Sequence, residues 1–301
     1  MVKIWIQAFR LRTLPLALAC IIVGSFCAMS SHAFSLPVLV LALVTTLFLQ
    51  ILSNLANDYG DAQHGVDNEN RLGPLRVTQK GMVSKQQMRT MIAVFVVCAI
   101  ASGILLIIAS FGATHVVEML LFSLLGISAI VAAIKYTIGK KPYGYAGLGD
   151  FFVFIYFGLV GVAGTFFLHT HRFDAWILLP ASAIGLLSAG VLNLNNMRDR
   201  ENDTLSGKKT LVVRMGIQKA TRYHASLIVL AILVSVVYTA AHCGSWWRFL
   251  FIITVPLFVR HCSIVLSPQT PSAAVFNNEL KNLALSTFAF AVMFGLGQAI
   301  R

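Results

Sequence analysis

Long apolar runs alternate with short polar breaks from one end of the chain to the other. A helix that crosses a bilayer needs about 20 mostly apolar residues. Nine stretches of that kind can be marked, at 14–29, 36–54, 91–110, 116–136, 150–168, 176–196, 223–241, 247–266 and 280–299. The pattern predicts an all-α polytopic membrane protein. The polar breaks are too short to fold separately, so residues 1–301 are expected to form one domain. A start such as 1–33 can imitate a signal peptide, but the apolar runs behind it favour a retained first span.

Two breaks differ from the rest. The second run ends in Asn54-Leu55-Ala56-Asn57-Asp58-Tyr59-Gly60-Asp61 and continues to Asp67, and the sixth ends in Asn193-Leu194-Asn195-Asn196-Met197-Arg198-Asp199 and continues to Asp203. If each helix runs on, Asp58 lies over Asp61 and Asp199 over Asp203, one turn apart on one face. Carboxylates stacked in this way repel, and a cation between them removes the repulsion. Oxygen-only donors with amides beside them suit Mg²⁺ better than zinc or copper. The plain alternative is a solvated helix end. Recurrence argues against it, because seven of the eleven acidic residues fall in these two stretches once Glu69, two residues past Asp67, is counted with the first.

Each acidic stretch is followed by a glycine turn and basic residues, Arg71 to Lys80 after the first and Lys208 to Arg214 after the second. The repetition suggests two related halves with a site between them. Such a site suits a ligand with a polyanionic head and a long apolar tail, the head held by metal and basic loops. Lys140 and Lys141 lie in a third break, rich in glycine and tyrosine, that lacks the Walker spacing and suits close backbone approach to a ligand. Arg12, before Pro15, suits either anion binding or snorkelling to the interface. Spans seven to nine carry no comparable polar cluster. His169 and His171 have no acidic partner nearby in sequence and are expected at the surface.

Composition agrees with the membrane reading, at 57% hydrophobic and 11% charged residues with a mean hydropathy of +0.80. The net charge of +12 would suit nucleic acid, but its distribution speaks instead for membrane orientation. On the nine-span map twenty of the 23 lysines and arginines fall on the side of the N-terminus, leaving Arg172, Arg248 and Arg301 opposite. Basic residues collect on the cytoplasmic side, so the N-terminus and both acidic stretches are expected inside. The five cysteines are scattered without a CxxC pair and suit apolar filling.

Asn57-Asp58-Tyr59-Gly60-Asp61 with Asp67, and Asp199 with Asp203, resemble the two aspartate-rich motifs of the UbiA-type intramembrane prenyltransferases. Arg12-Thr13-Leu14-Pro15, Gly65-Val66-Asp67, Arg71-Leu72-Gly73-Pro74, Pro142 to Asp150, Asn195 to Asp199 and Gly207 to Arg214 resemble the branch acting on 1,4-dihydroxy-2-naphthoate in menaquinone synthesis. The third acid of the first motif stands at Asp67, where many relatives place it at the position of Gly65. The resemblance implies nine helices around a central cavity open to lipid, Mg²⁺, a polyprenyl diphosphate donor and a bacterial inner-membrane location. It implies Asp61, Asp199 and Asp203 as catalytic metal ligands, joined by Asp58 and Asp67. Asn54, Asn57 and Asn195 would position head-group oxygens, and Arg12, Lys80, Lys140, Lys141, Arg198 and Lys208 would meet the diphosphate. Other acceptors, such as 4-hydroxybenzoate or a tetrapyrrole, belong to other branches. From a different class, a secondary transporter also combines repeats with polar helix ends, though usually near the bilayer midplane. Oligomeric state is open.

Overall fold

The computed structural model describes residues 2–66, 72–73, 76–242, 244–267 and 271–300. Among these, nine helices are long and apolar enough to cross a membrane: Lys3–Ser30, Leu36–Gln63, Lys85–Phe111, Val116–Lys135, Gly149–Thr170, Ala175–Leu205, Ile217–Ala241, Trp246–Val265 and Ala273–Ala299. They correspond one to one with the nine apolar runs. The difference lies at two ends. The second span continues as helix to Gln63 and the sixth to Leu205, each including an unbroken stretch of 28 residues. At 1.5 Å per residue that is about 42 Å, longer than the roughly 30 Å hydrocarbon core. Each helix therefore carries its acidic stretch out of the lipid still in helical form.

The first span is broken. Val2–Phe9 is helical, Arg10 takes a left-handed conformation at φ 52°, and a short turn at Leu11–Thr13 leads into Leu14–Ser30. A non-glycine residue in that region costs on the order of 1 kcal/mol and persists only where its surroundings hold it. Here Asn54 holds it, donating from Nδ2 to the Phe9 carbonyl at 2.9 Å and to Thr13 Oγ1 at 3.0 Å.

The first, second, fifth, sixth and ninth spans form the centre, the sixth packing on the fifth, seventh and ninth. The third and fourth lie outside them and turn large apolar side chains outward, among them Val97 at 65%, Val117 at 76% and Leu124 at 66% exposure. Water would not tolerate so continuous an apolar surface, and lipid does. The fourth span packs on the second and third, and the fifth on the first and sixth. Between the fourth and fifth, contacts include a Tyr156 to Ser128 hydrogen bond and a Phe122 to Phe167 stack. The fifth span is wound wide, as π-helix, over Phe154–Gly164.

Two expectations are corrected. His169 is buried: the Ser35 amide donates to its Nδ1 at 3.1 Å, which leaves Nε2 to donate to Ser25 Oγ at 2.9 Å. It needs no acid because a backbone amide and a hydroxyl satisfy both nitrogens. The last three spans do share a buried polar cluster. His261 Nδ1 lies 2.6 Å from Glu279 Oε2, and His261 Nε2 lies 2.9 Å from His224 Nε2. The three residues sit on three different helices, so no spacing within one run reveals them.

Gly158 sits where the fifth and sixth spans cross, and a Cβ there would lie 2.6 Å from the Ala181 carbonyl oxygen, a backbone atom that cannot turn aside. Gly158→Ala is expected to cost about 1–3 kcal/mol of stability through overpacking. A lowered unfolding midpoint of the purified protein in detergent checks this, and an unchanged midpoint contradicts the crossing.

Candidate active site

A cavity of about 630 Å³ enters the bundle between the two extended helix ends. Along the second span its wall runs from Asp61 down to Ala42, nineteen residues or about 28 Å of helix. The outer part is polar. Below it the lining turns to Leu16, Leu49, Ile104, Phe122, Phe157 and similar side chains of the first five spans. One chamber thus joins a charged mouth to an apolar shaft nearly as deep as the lipid core.

Of the predicted residues, Asp61, Asp199, Asp203, Asn54, Asn57, Asn195, Arg12, Arg198 and Lys208 all line this chamber. The two acidic stretches meet. Lys208 Nζ lies 3.0 Å from Asp61 Oδ1 and 3.7 Å from Asp203 Oδ1, and the Asn202 amide donates to the Val66 carbonyl at 2.9 Å. Arg198 forks onto its neighbour Asp199, with Nε to Oδ1 at 2.8 Å and Nη2 to Oδ2 at 2.5 Å, and is steadied by the Asn195 and Asn277 side-chain oxygens.

Several placements differ from expectation. Asp58 is buried but does not reach the cavity wall, because Arg10 and Arg76 both pair with it from the cavity side. Asn54 acts chiefly on the backbone of the first span, as described above. Lys80, Lys140 and Lys141 are exposed and outside the chamber. The reason for the last two is the fold of their linker: Tyr143 donates to the Ala132 carbonyl at 2.8 Å and the Gly144 amide to the Tyr136 carbonyl at 3.1 Å. That turn sends tyrosines inward and lysines outward. Glu201 points to solvent at 78% side-chain exposure. Asp67 lies outside the described residues.

Arg10, Arg76 and Tyr145 are the site residues that sequence reasoning passed over. Arg76 bridges the first acid pair, 3.1 Å from Asp58 and 2.8 Å from Asp61, and also donates to the Asn57 carbonyl at 2.9 Å. The Tyr145 hydroxyl donates to Asp61 at 2.6 Å, and Lys208 sits over its ring at 4.5 Å. Gly60 lets the Tyr145 linker come close, since a Cβ there would fall 2.5 Å from Thr137 Oγ1. Burial, aided by the charges of Asp150 and Asp61, raises the Tyr136 pKa, and burial raises that of Tyr143. Both phenols stay protonated and neutral.

Four carboxylates, Asp58, Asp61, Asp199 and Asp203, thus face four cations, Arg10, Arg76, Arg198 and Lys208. The donor set fits Mg²⁺: Asp61 and Asp203 already share one cation, and Asn202 Oδ1, on the same wall, is buried without a hydrogen-bond partner. Among the described residues no three carboxylate, histidine or cysteine side chains are grouped tightly enough to hold an ion alone. That too suits Mg²⁺, which takes one or two carboxylates and completes its shell with waters and substrate phosphate oxygens.

Residues 17–284 match the UbiA prenyltransferase family, and the chain belongs to it. It is 43% identical over 99% of its length to the 1,4-dihydroxy-2-naphthoate octaprenyltransferase of Haemophilus influenzae, covering 96% of that protein. It is 41% identical over 98% of its length to the enzyme of that name from Escherichia coli, again covering 96%. Solved structures of similar fold include the apo structure of a UbiA homolog from Aeropyrum pernix K1, with TM-score 0.66 at 17% identity, covering 99% of this chain and 98% of that one. A UbiA homolog from Archaeoglobus fulgidus bound to GPP and Mg²⁺ has TM-score 0.61 at 15% identity, covering 94% and 98%.

Arg76→Gln removes the cation shared by two buried carboxylates. Breaking one side of a buried pair costs roughly 3 kcal/mol. The expected result is a lower unfolding midpoint together with faster amide exchange at the end of the second span; wild-type values for both would show that the loop is anchored elsewhere.

Proposed function

We propose that the chain transfers a polyprenyl group from an all-trans polyprenyl diphosphate to 1,4-dihydroxy-2-naphthoate, releasing diphosphate and CO₂ and forming demethylmenaquinol for menaquinone synthesis. The observation that carries this is the chamber itself, a charged mouth joined to an apolar shaft, in a chain more than 40% identical to two enzymes of that name. The site faces the cytoplasm from a bacterial inner membrane, following the distribution of basic residues.

Asp61, Asp199 and Asp203, with Asn57 and Asn202 beside them, would hold Mg²⁺. When bound, the metal supplies Lewis-acid stabilisation of charge on the diphosphate oxygens. Lys208, Arg76, Arg12 and Arg198 line the same mouth and stabilise the negative charge that builds on the leaving oxygen as the allylic C–O bond breaks. Asp58 holds Arg10 and Arg76 in place for that task. Tyr136, Tyr143, Tyr156, Phe152 and Phe157 border the upper shaft. Their neutral rings shield the allylic cation from water and favour it by about 1 kcal/mol per well-placed face. The ring carbon that bears the acceptor's carboxylate attacks the allylic carbon. Loss of that carboxylate as CO₂ returns the electron pair to the ring, so no net proton transfer is needed.

The purified protein, supplied with Mg²⁺ and octaprenyl diphosphate, is expected to prenylate 1,4-dihydroxy-2-naphthoate with release of CO₂, to stop on chelation, and to leave 4-hydroxybenzoate unchanged. Asp199→Asn and Asp203→Asn should each slow turnover at least about 100-fold, close to 3 kcal/mol of transition-state stabilisation. Product from 4-hydroxybenzoate alone would reassign the acceptor, and near-normal turnover by either variant would remove the metal assignment.

A further inference from the structure

A second, smaller cavity of about 400 Å³ opens between the eighth and ninth spans, lined by Arg260, Ile264, Val275, Asn278, Glu279, Lys281 and Asn282. It lies on the same end of the bundle as the aspartates, because the eighth span ends at Val265 and the ninth begins at Ala273. Leu257, Arg260 and Ile264 follow one another at α-helical spacing, Ile253 precedes them in the 3₁₀ segment that opens the span, and Ile253 and Leu257 are exposed. Such a stripe faces lipid. Arg260 interrupts it with a side chain 61% exposed, five residues before the helix ends.

The charges around the cavity are unequal. Glu279 is buried, and its oxygens are already engaged: Oε2 faces His261 at 2.6 Å, and Oε1 accepts from Asn282 Nδ2 at 2.9 Å. With His261 Nδ1 donating to Glu279, His261 Nε2 is left to accept from His224 Nε2, which satisfies the His261 ring and leaves His224 Nδ1 buried without a hydrogen-bond partner. Arg260 approaches Oε1 only to 3.8 Å, beyond hydrogen-bond reach. Two cations and one carboxylate thus line the cavity, and the 61% exposed guanidinium keeps donors available near the end of the span. A pocket between helices, basic at the headgroup level and apolar below, matches the chemistry of a phospholipid with net negative charge.

We propose that the cavity between the eighth and ninth spans binds the headgroup of an anionic glycerophospholipid through Arg260 and Lys281, with the acyl chains along the Ile253 and Leu257 face. The His224, His261 and Glu279 cluster ties the seventh, eighth and ninth spans together and fixes the floor of this pocket. Lys281 also borders the catalytic chamber, so the bound lipid adjoins the active site without entering it. The assignment is independent of which acceptor is prenylated.

The test uses the full chain in nanodiscs of phosphatidylcholine with or without phosphatidylglycerol, followed by native mass spectrometry of retained lipid and by the unfolding midpoint. Wild type is expected to retain phosphatidylglycerol several-fold over phosphatidylcholine of the same chain length and to unfold at a higher temperature in its presence. Arg260→Ala and Arg260→Gln should each lose most of that preference, Arg260→Lys should keep much of it, and Lys219→Ala, a basic residue elsewhere, should change nothing. The proposal is overturned if both charge-removing variants retain phosphatidylglycerol as wild type does, which leaves Arg260 merely snorkelling. It is also overturned if wild type shows no preference, or if inorganic phosphate displaces the lipid and reproduces the thermal shift.

Discussion

Four carboxylates packed at the mouth of an apolar chamber stay together only because cations are interleaved with them. At 4 Å, two like charges repel by about 4 kcal/mol in a medium of effective dielectric near 20, and here several such repulsions would add. Arg76 between Asp58 and Asp61, Lys208 between Asp61 and Asp203, and Arg198 on Asp199 turn each repulsion into attraction. The rest of the architecture follows from that interleaving. Two helices must outrun the membrane to bring the acids into polar surroundings, and two loops must fold back to bring the bases. The pairing also sets terms for the ligand, since Arg10, Arg76, Arg198 and Lys208 are already engaged by carboxylates and a diphosphate would need further counter-charge, which a divalent metal would supply.

The remainder of the bundle divides between holding that mouth and accommodating what hangs below it. On one side the fourth and fifth spans pack on different neighbours and leave a shaft of aliphatic and aromatic walls between them. On the other side the last three spans are joined by a buried histidine pair and glutamate, polar groups that lipid tolerates only when they satisfy one another. One side can admit a long tail while the other keeps the sixth span fixed. Asn277, on the ninth span, carries that rigidity directly to Arg198.

Hydrophobic periodicity made the nine spans legible, since each is long, continuous and set off by charge. The acid pairs were legible for a similar reason, as carboxylates at one-turn spacing directly after an apolar run have few other uses. The cations were harder. Arg76 and Lys80 lie in the same loop, and nothing in their neighbours says that Arg76 reaches Asp61 while Lys80 points to solvent. In the linker before the fifth span the lysines drew attention as diphosphate partners, yet the Tyr145 hydroxyl is the group on Asp61. Loop direction depends on hydrogen bonds such as Tyr143 to Ala132, which link residues eleven apart and leave no periodic trace. Local spacing reports what one helix presents, whereas His224, His261 and Glu279 become a cluster only when three helices pack.

The two acidic segments do not each build half a site. Lys208, after the second acidic stretch, reaches back to Asp61 of the first, and Asn202 of the second holds the Val66 carbonyl at the end of the first. Tyr145 comes from the linker between the fourth and fifth spans, and the Lys209 amide in turn donates to the Tyr145 carbonyl at 2.9 Å. The Lys208 ammonium thus joins an acid of one segment to an acid of the other. Substitutions in such a network do not add, because removing one cation leaves its carboxylates to be shared by the cations that remain. A half-chain would keep its own bases, Arg10 and Arg76 beside Asp58 and Asp61 or Arg198 beside Asp199, but would lose the Lys208 bridge that joins Asp203 to Asp61. The site is therefore a property of the closed bundle, and its assembly is the same event as the docking of the second and sixth helix ends.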